Sequence, residues 1–435
     1  MPLAAAMQMK RGMTLYRDVF FDKPLLVPAV YLLWGAQAGW ALRVAGAVYA
    51  LAASALAFGI GAALWTRREG LIAAGLMAFF LTFDTHSAVL PLTADMLLLV
   101  PHLAAVLLAV KKRPLLAGIA AGVGFLFNAK GVIVLATCAL FAWPSVLQLG
   151  IGFVLPNLAA AGWLAGTGAL HAYIEQVWVW MSRYAGDTFV ANPVGNGLLR
   201  TGNWLGFHAV LLVGVAAYLW KERNLRFAAW LVLSYGGVVL GWRFFPRYFY
   251  ILLPVMTVAA ARGLGYMRPR WVVWVAVATM AVPMVRFGPK YVTLAMGREA
   301  KWADLAMDSD SRAAAALLRG QTGTLYVWGY RPEIFVYTGL RPASMYLECQ
   351  ALTGVPADRH LGQTHVVLTA GTAEARAAVI AARPDILIDG LGPYNPALAV
   401  KQYPDMARLL EGYREAGRTP GSIIYLRLAN ASSSR

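Results

Sequence analysis

Long apolar runs separated by short polar loops occupy the first 286 residues, and the pattern changes after Pro289. The runs predict membrane-spanning helices, although several are shorter than the roughly 20 residues that a full crossing needs. We expect ten spans, at residues 43–65, 70–83, 95–110, 115–127, 132–143, 146–166, 204–220, 227–242, 248–261 and 271–286. The adjacent pair 115–127 and 132–143 could instead form a re-entrant hairpin.

Residues 287–435 have mixed charge and alternate between strand and helix patterns, which is typical of a soluble α/β domain. The patterns predict helices at 298–319, 372–383 and 404–416, a short helix or turn at 331–338, and strands at 323–329, 366–369, 384–389 and 422–428. The predicted architecture is a polytopic α-helical membrane domain over 43–286 followed by this domain. Residues 1–42 are expected to form an outer loop and an interfacial segment.

The basic residues of the membrane half are unevenly distributed among the predicted loops. Eleven of them fall in the loops of one side and five in the loops of the other. By the positive-inside rule this places residues 84–94, 167–203, 243–247 and the C-terminal domain outside the cytoplasm. The chain is therefore expected to be a multi-pass protein of the inner or plasma membrane. A nucleic-acid surface would concentrate Lys and Arg on the soluble part, so no nucleic-acid partner is expected.

The N-terminal 42 residues conflict with this orientation, because they are basic and would have to be exported without a preceding span. We therefore expect that a natural first helix lies upstream of Met1. A genuine outside start is the alternative.

Carboxylates are rare in the membrane half. Eight occur in residues 1–286, and the predicted topology puts six of them on the outer side, namely Asp18, Asp22, Asp84, Asp95, Glu175 and Asp187. Carboxylates at or inside a bilayer are costly, so they are candidates for function. Asp95, at the mouth of a span, could act as a general base, bind a divalent metal or cap a helix. Asp84 and His86 are weaker candidates for metal ligands.

Three cations lie on the same predicted side. Lys130 stands between two apolar stretches, where it needs an anionic partner or a path to water, or must extend to the interface. Arg243 and Arg247 share one short loop, and guanidinium groups bind phosphate oxygens in a fork geometry. The same loop could simply be an interfacial hairpin anchored by Phe and Tyr. A lipid phosphate would satisfy all three cations.

The segment GMTLYRDVFFDKP, residues 12–24, combines Asp18, Asp22 and Lys23 with aromatic side chains. Such a composition suits the membrane–water interface, either as an anchor or as a site wall facing a charged headgroup. Glycosyl transfer from a lipid phosphate needs a carboxylate that takes the proton of the acceptor hydroxyl. It also needs cations nearby that hold the phosphate.

These residues resemble the GT-C fold integral-membrane glycosyltransferases of family 39, which include aminoarabinose-transferase-like and protein-mannosyltransferase-like enzymes. The resemblance lies in GMTLYRDVFFDKP, Ala94-Asp95, the GVGFLFNAKG stretch around Lys130, FFPRYFYILLP at 244–254, YVWGYRPEIFVYTGLRP at 326–342 and PDILIDG at 384–390. It implies a polyprenyl-phosphate sugar donor, an extracytoplasmic lipid, glycan or protein acceptor, and inversion at the anomeric carbon.

The resemblance also implies roles for individual residues. Lys23 matches the lysine of the family's Lys-Pro-Pro motif, which is tied to the lipid phosphate, although this chain has Lys-Pro-Leu. Asp95 matches a recurrent acid of the second outer loop. The family's leading acid precedes the Gly-x-x-Tyr-Arg-Asp segment, and residues 1–12 contain no Asp or Glu. The catalytic candidates are therefore Asp95, Asp18 and Asp22, and the phosphate-binding candidates are Lys23, Lys130, Arg243 and Arg247.

Three functions are compatible with these features of the sequence. The first is a glycosyltransferase that uses a polyprenyl-phosphate donor, with no certain cofactor and a divalent metal as an option. The second is a transporter or flippase of a lipid-linked glycan, for which paired broken helices would be expected. The third is an inactive, N-terminally truncated member of the family.

Overall fold

The computed structural model describes residues 1–84, 87–187, 192–297, 302–355, 357, 359–362 and 370–428. Its N-terminal two thirds are helical. The helices are Pro2–Lys10 (α1), Leu26–Ala29 (α2), Trp40–Leu64 (α3), Arg67–Phe83 (α4), Ala94–Leu97 (α5), Leu99–Val110 (α6), Pro114–Phe125 (α7), Gly131–Ala142 (α8), Val146–Gly166 (α9), Leu170–Tyr173 (α10), Trp180–Asp187 (α11), Pro193–Phe207 (α12), Ala209–Glu222 (α13), Leu225–Val239 (α14), Leu253–Gly263 (α15), Arg270–Ala278 (α16) and Ala281–Ala295 (α17). Short 3₁₀ segments at Val30–Trp34, Pro246–Leu252 and Leu264–Tyr266 and a π-helix at Ile174–Val179 connect them.

Four helical segments of the described chain are long and apolar enough to cross a bilayer, by length and composition. They are Trp40–Leu64, Val146–Gly166, Pro246–Tyr266 and Arg270–Ala295. Helices α12 and α13, which meet at an angle of 92°, together meet the same criterion and would make a fifth. The remaining apolar helices have 10–17 residues. The predicted runs thus form helices, whereas ten complete spans stay a prediction.

Glycine residues allow the membrane helices to approach one another closely. A Cβ atom at Gly118 in α7 would lie 2.0 Å from the carbonyl oxygen of Leu149 in α9. A Cβ at Gly263 in α15 would lie 1.8 Å from the carbonyl oxygen of Gly214 in α13. Small residues at such crossings let backbones pack where lipid offers no hydrophobic driving force.

The described C-terminal residues include five strands of one sheet, with helices packed on it. The strands are Thr324–Trp328 (β1), Arg341–Pro342 (β2), Ile386–Asp389 (β3), Tyr413–Thr419 (β4) and Ser422–Arg427 (β5), and their order is β2-β1-β3-β5-β4. Strand β1 pairs in parallel with β2 and β3, whereas β5 is antiparallel to β3 and β4. The helices are Ala303–Leu317 (α18), Glu333–Thr338 (α19), Gln350–Thr353 (α20), Ala370–Ala382 (α21) and Pro404–Leu410 (α22), with 3₁₀ turns at Arg359–Gly362, Pro396–Leu398 and Val400–Gln402.

One predicted element of this domain is wrong. The helix expected over 404–416 ends at Leu410, and the chain continues as the edge strand β4. The sequence of β4, YREAGRT, does not alternate between apolar and polar residues. Its charged side chains are typical of an edge strand, where they prevent pairing with a further strand. The strand expected at 366–369 lies outside the described residues.

The C-terminal domain is seated on loops from the membrane half. The Phe20 amide donates to the Met345 carbonyl at 2.9 Å, and the two rings of Phe20 and Tyr346 are 5.4 Å apart. On the other side of the interface, Asp304 accepts hydrogen bonds from the Ser87 hydroxyl at 3.1 Å and the Ala88 amide at 3.0 Å. The segments predicted to share the outer compartment therefore contact one another.

Candidate functional site

Asp95 lies in the short helix α5, and its carboxylate is buried. Thr93, not Asp95, caps this helix, since the Thr93 hydroxyl accepts the Met96 amide at 3.3 Å. The Asp95 side chain is therefore available for other contacts. It receives a hydrogen bond from Asn128 at 3.1 Å and from the Lys130 ammonium at 2.8 Å, both at Oδ1.

The ammonium group of Lys130 is held in a buried position by the loop between α7 and α8. The Asn128 side chain accepts the Lys130 amide at 3.1 Å, which fixes the turn of this loop. The ammonium nitrogen also lies 3.9 Å from the centre of the Tyr248 ring. The anionic partner that the sequence required for this lysine is thus Asp95, within the protein, and the lysine does not extend to the interface.

A second cation reaches the same carboxylate from the 3₁₀ segment Pro246–Leu252. The Arg247 Nε atom lies 3.7 Å from the other carboxylate oxygen of Asp95, and the Arg247 side chain is 35% exposed. We call Asp95, Asn128, Lys130, Arg247 and Tyr248 the Asp95 cluster. Two cations face one carboxylate in it, so the Asp95 cluster carries a net positive charge that an exposed guanidinium presents outward.

The turn before Arg247 has an unusual backbone. Trp242 and Phe244 have φ angles of 55° and 48°, a left-handed conformation that non-glycine residues rarely adopt. Such residues cluster at functional sites, where the surrounding structure holds them. Between them lies Arg243, which is buried. The left-handed turn therefore carries one of the predicted phosphate-binding cations.

Asp22 and Lys23 form an ion pair in the first loop, and the Lys23 ammonium lies 3.8 Å from the Met181 sulfur. Loop geometry is fixed by Gln176, whose side chain accepts the Phe21 amide at 2.9 Å and donates to the Tyr16 carbonyl at 2.7 Å. The Tyr16 hydroxyl in turn donates to the Lys23 carbonyl at 2.8 Å.

Glu348 of the C-terminal domain extends this region. Burial raises the pKa of Glu348 to about 7, the nearby Asp22 carboxylate adds to the shift, and Lys23 opposes it. This carboxyl group belongs to the C-terminal domain, whose neighbouring Met345 and Tyr346 contact Phe20 of the first loop.

Asp18 is used differently from Asp22. Its carboxylate accepts the Thr14 amide at 2.7 Å and pairs with the exposed Arg17 at 2.9 Å. The hydrogen bond from Arg17, followed by that of the Thr14 amide, holds the pKa of Asp18 below its ordinary value although burial opposes it. These contacts close a local turn and engage the Asp18 carboxylate within its own loop.

Asp84 pairs with a residue outside the Asp95 cluster. Its carboxylate is 3.3 Å from His208 Nε2, and the His208 ring is buried between Phe80 and Trp204. His86 lies outside the described residues. Within the described ranges no three His, Cys, Asp or Glu side chains come together as ligands.

Sequence reasoning missed several residues that contact the predicted site residues or hold their loops in place. They are Asn128, Tyr248, Gln176, His208 and Glu348. Asn128 could have been found, because it stands two residues from Lys130 in a polar break between apolar runs. The others have no local signal, since their importance comes from partners distant in the chain.

Comparisons with known proteins identify the fold that carries these residues. No protein-family model and no curated protein sequence matches the chain. The apo crystal structure of ArnT from Cupriavidus metallidurans superposes with a TM-score of 0.60 at 15% identity, covering 98% of this chain and 93% of ArnT. The chain has the GT-C glycosyltransferase fold. ArnT bound to undecaprenyl phosphate gives a TM-score of 0.55 at 13% identity, with 99% of this chain and 93% of ArnT covered.

The match extends over both halves of the chain, so the GT-C fold accounts for the membrane helices and for the α/β domain seated on them. A zinc- and sulfate-bound oligosaccharyltransferase of Archaeoglobus fulgidus superposes less well, with a TM-score of 0.48 at 13% identity, and covers 95% of this chain and 66% of its own.

Proposed function

We propose that the protein is a membrane glycosyltransferase that moves a sugar from a polyprenyl-phosphate donor to an acceptor outside the cytoplasm, with inversion at the anomeric carbon. The observation that carries the proposal is the net positive charge of the Asp95 cluster. A buried excess of positive charge needs an anion, and the exposed guanidinium of Arg247 offers it a bidentate contact. The GT-C fold, shared with an ArnT structure bound to undecaprenyl phosphate, is consistent with a lipid phosphate as that anion.

In the proposed reaction the acceptor O–H group loses its proton to the Asp22 carboxylate as its oxygen bonds to the anomeric carbon. The bond from that carbon to the phosphate oxygen breaks, and the electron pair leaves with the polyprenyl phosphate. Lys130 and Arg247 stabilise the negative charge that develops on this phosphate. Asp95 is a positioning residue, because it holds both cations without neutralising them fully.

Asp22 is the proposed base on grounds of geometry. Asp95 is shielded by Asn128, Lys130 and Arg247, and Asp18 is bound to its own turn. Asp22 pairs with the adjacent Lys23, and its side chain keeps 16% of its surface exposed, so an acceptor hydroxyl can reach it. A carboxylate with an adjoining cation can accept a proton while the cation meets the substrate phosphate.

The experiment is binding of undecaprenyl phosphate to the purified full-length protein in detergent, followed by thermal unfolding and by native mass spectrometry. We expect this lipid to raise the melting temperature of the wild type. The Lys130→Met variant should bind the lipid at least about tenfold more weakly, because a charge-assisted contact to phosphate is removed. Arg67→Met, an exposed change of the same charge at the first residue of α4, is the control. Equal affinity in Lys130→Met and in the control would reject the phosphate site.

A further inference from the structure

A groove of about 620 Å³ lies between α1, the loop of residues 35–39 and helix α19 of the C-terminal domain. Three cationic side chains line it, Lys10 and Arg11 from the N-terminal segment and Arg312 from α18. The described lining contains no carboxylate. The groove shares no residue with the Asp95 cluster, so the proposed glycosyl transfer leaves its charges unexplained.

Neutral groups hold two of these cations. Arg11 donates to the Gly339 carbonyl at 2.8 Å and to the Leu340 carbonyl at 3.2 Å, and the Lys10 ammonium donates to the Gly35 carbonyl at 3.2 Å. Backbone carbonyls orient the side chains but do not cancel their charge. Each side chain also keeps further N–H donors, since an ammonium has three and a guanidinium has five.

The third cation is partly neutralised. Arg312 pairs with Asp308 at 2.9 Å and donates to the Tyr337 hydroxyl at 3.1 Å. Three cations and one neighbouring carboxylate leave the groove positive. Because the cations come from two domains, an anion between them would connect the N-terminal segment to the C-terminal domain.

Exposed apolar side chains flank the chain segment that lines the groove. The 35–39 loop leads into Trp40, which is 74% exposed at the start of α3, and Leu33 just before the loop is 83% exposed. Tryptophan at the end of a membrane helix is typical of the headgroup layer. The guanidinium of Arg43 lies 5.4 Å from the Trp40 ring, as expected for an interfacial cation.

We infer that this groove binds the phosphate-bearing headgroup of an anionic membrane lipid. A phosphate has several oxygens around one centre and can therefore meet Lys10, Arg11 and Arg312 from different directions. The volume falls within the range of small-molecule sites and is sufficient for a glycerophosphate headgroup. The position at the bilayer surface selects a lipid over a free anion, because the acyl chains can remain beside Leu33 and Trp40.

The test compares phosphatidylglycerol, phosphatidylcholine and inorganic phosphate as probes of the full-length protein in detergent micelles. We expect phosphatidylglycerol to raise the melting temperature and to be retained in native mass spectra, and the zwitterionic lipid and inorganic phosphate to do neither. The double variant Lys10→Gln/Arg312→Gln should weaken phosphatidylglycerol binding at least about tenfold, since two charged contacts are lost.

The matched control is Lys221→Gln/Arg223→Gln, which removes the same charge from the C-terminal end of α13 and should bind the lipid as the wild type does. If the double variant unfolds, the single variant Lys10→Gln replaces it in the binding measurement, because it breaks only a contact to a carbonyl. Equal loss in the control, equal binding of both lipids, or a response to inorganic phosphate alone would overturn the assignment. Undecaprenyl phosphate binding at the Asp95 cluster should be unchanged in Lys10→Gln, so the two proposals fail separately.

Discussion

At the scale of single residues, the position of Asp22 decides which carboxylate can take part in chemistry. The Asp22 side chain is 16% exposed and has Lys23 as its ionic partner. By contrast, Asp95 touches an amide and two cations, and Asp18 accepts a backbone amide. A carboxylate with fewer fixed donors is the better proton acceptor.

We predict that Asp22→Asn lowers the rate of sugar transfer by at least about 100-fold, because an amide cannot accept the acceptor proton. Release of undecaprenyl phosphate from a sugar-bearing donor measures the rate. Donor affinity should change little, since the phosphate contacts remain. Asp18→Asn is the comparison and should retain most activity; a larger loss in Asp18→Asn than in Asp22→Asn would reverse the two roles.

Arg247 is the accessible cation of the Asp95 cluster, and its guanidinium also lies 5.1 Å from the Phe245 ring. Arg247→Ala should raise the donor concentration needed for half-maximal rate by about 10- to 100-fold, the usual range for a lost charge-assisted contact. Arg247→Lys should recover part of this loss because the charge returns without the fork geometry. Steady-state kinetics at varied donor concentration give the answer, and an unchanged donor requirement would leave this loop as an interfacial anchor.

At the scale of elements, helices α7 and α9 depend on close backbone contact. The Leu149 carbonyl oxygen stands where a Cβ at Gly118 would be, and the Leu115 carbonyl oxygen lies 2.1 Å from a Cβ placed at Gly152. Backbone atoms cannot rotate away as a flexible side chain can, so any side chain here must separate the helices. The loop that carries Asn128 and Lys130 follows α7 directly.

Gly118→Val should therefore destabilise the protein by about 1–3 kcal/mol, the usual range for overpacking, and should lower donor binding through the displaced Lys130. Gly150→Val is a matched control in α9, because no atom lies within 4 Å of a Cβ at Gly150. Thermal unfolding in detergent measures the first effect. Similar melting temperatures for the two variants would mean that the close crossing is dispensable.

At the scale of the whole molecule, the C-terminal domain and the first loop influence each other through Glu348. Its folded-state pKa of about 7 is above the ordinary value of 4.5, so the folded protein binds this proton more tightly than the unfolded chain does. The resulting stabilisation is fully present below about pH 4.5 and is lost as the pH rises through 7.

We predict that the wild type loses up to about 3 kcal/mol of stability from this group between pH 5 and 8, and that Glu348→Gln removes this part of the dependence. Melting temperatures measured at several pH values in one detergent provide the test. Glu411→Gln, at an exposed glutamate after α22, controls for the loss of a carboxylate. Parallel pH profiles for the wild type and Glu348→Gln would contradict the raised pKa of this carboxyl.

The sequence alone determined the helical runs, the position of the α/β domain and the cations worth examining. These features depend on local periodicity and on the high free energy of charge in lipid, both of which are written in the order of residues. The β4 strand could not be predicted in this way, because an edge strand is stabilised by its neighbour and not by its own apolar pattern.

Only the tertiary structure decided which charges meet. Asp95 and Lys130 are 35 residues apart, and Arg247 comes from a still more distant loop, so no local pattern could pair them. The different contacts of Asp18 and Asp22, and the contact between Asp84 and His208, also could not be read from a local pattern. Electrostatic energy depends on distance in space and on burial, and both are properties of the packed molecule.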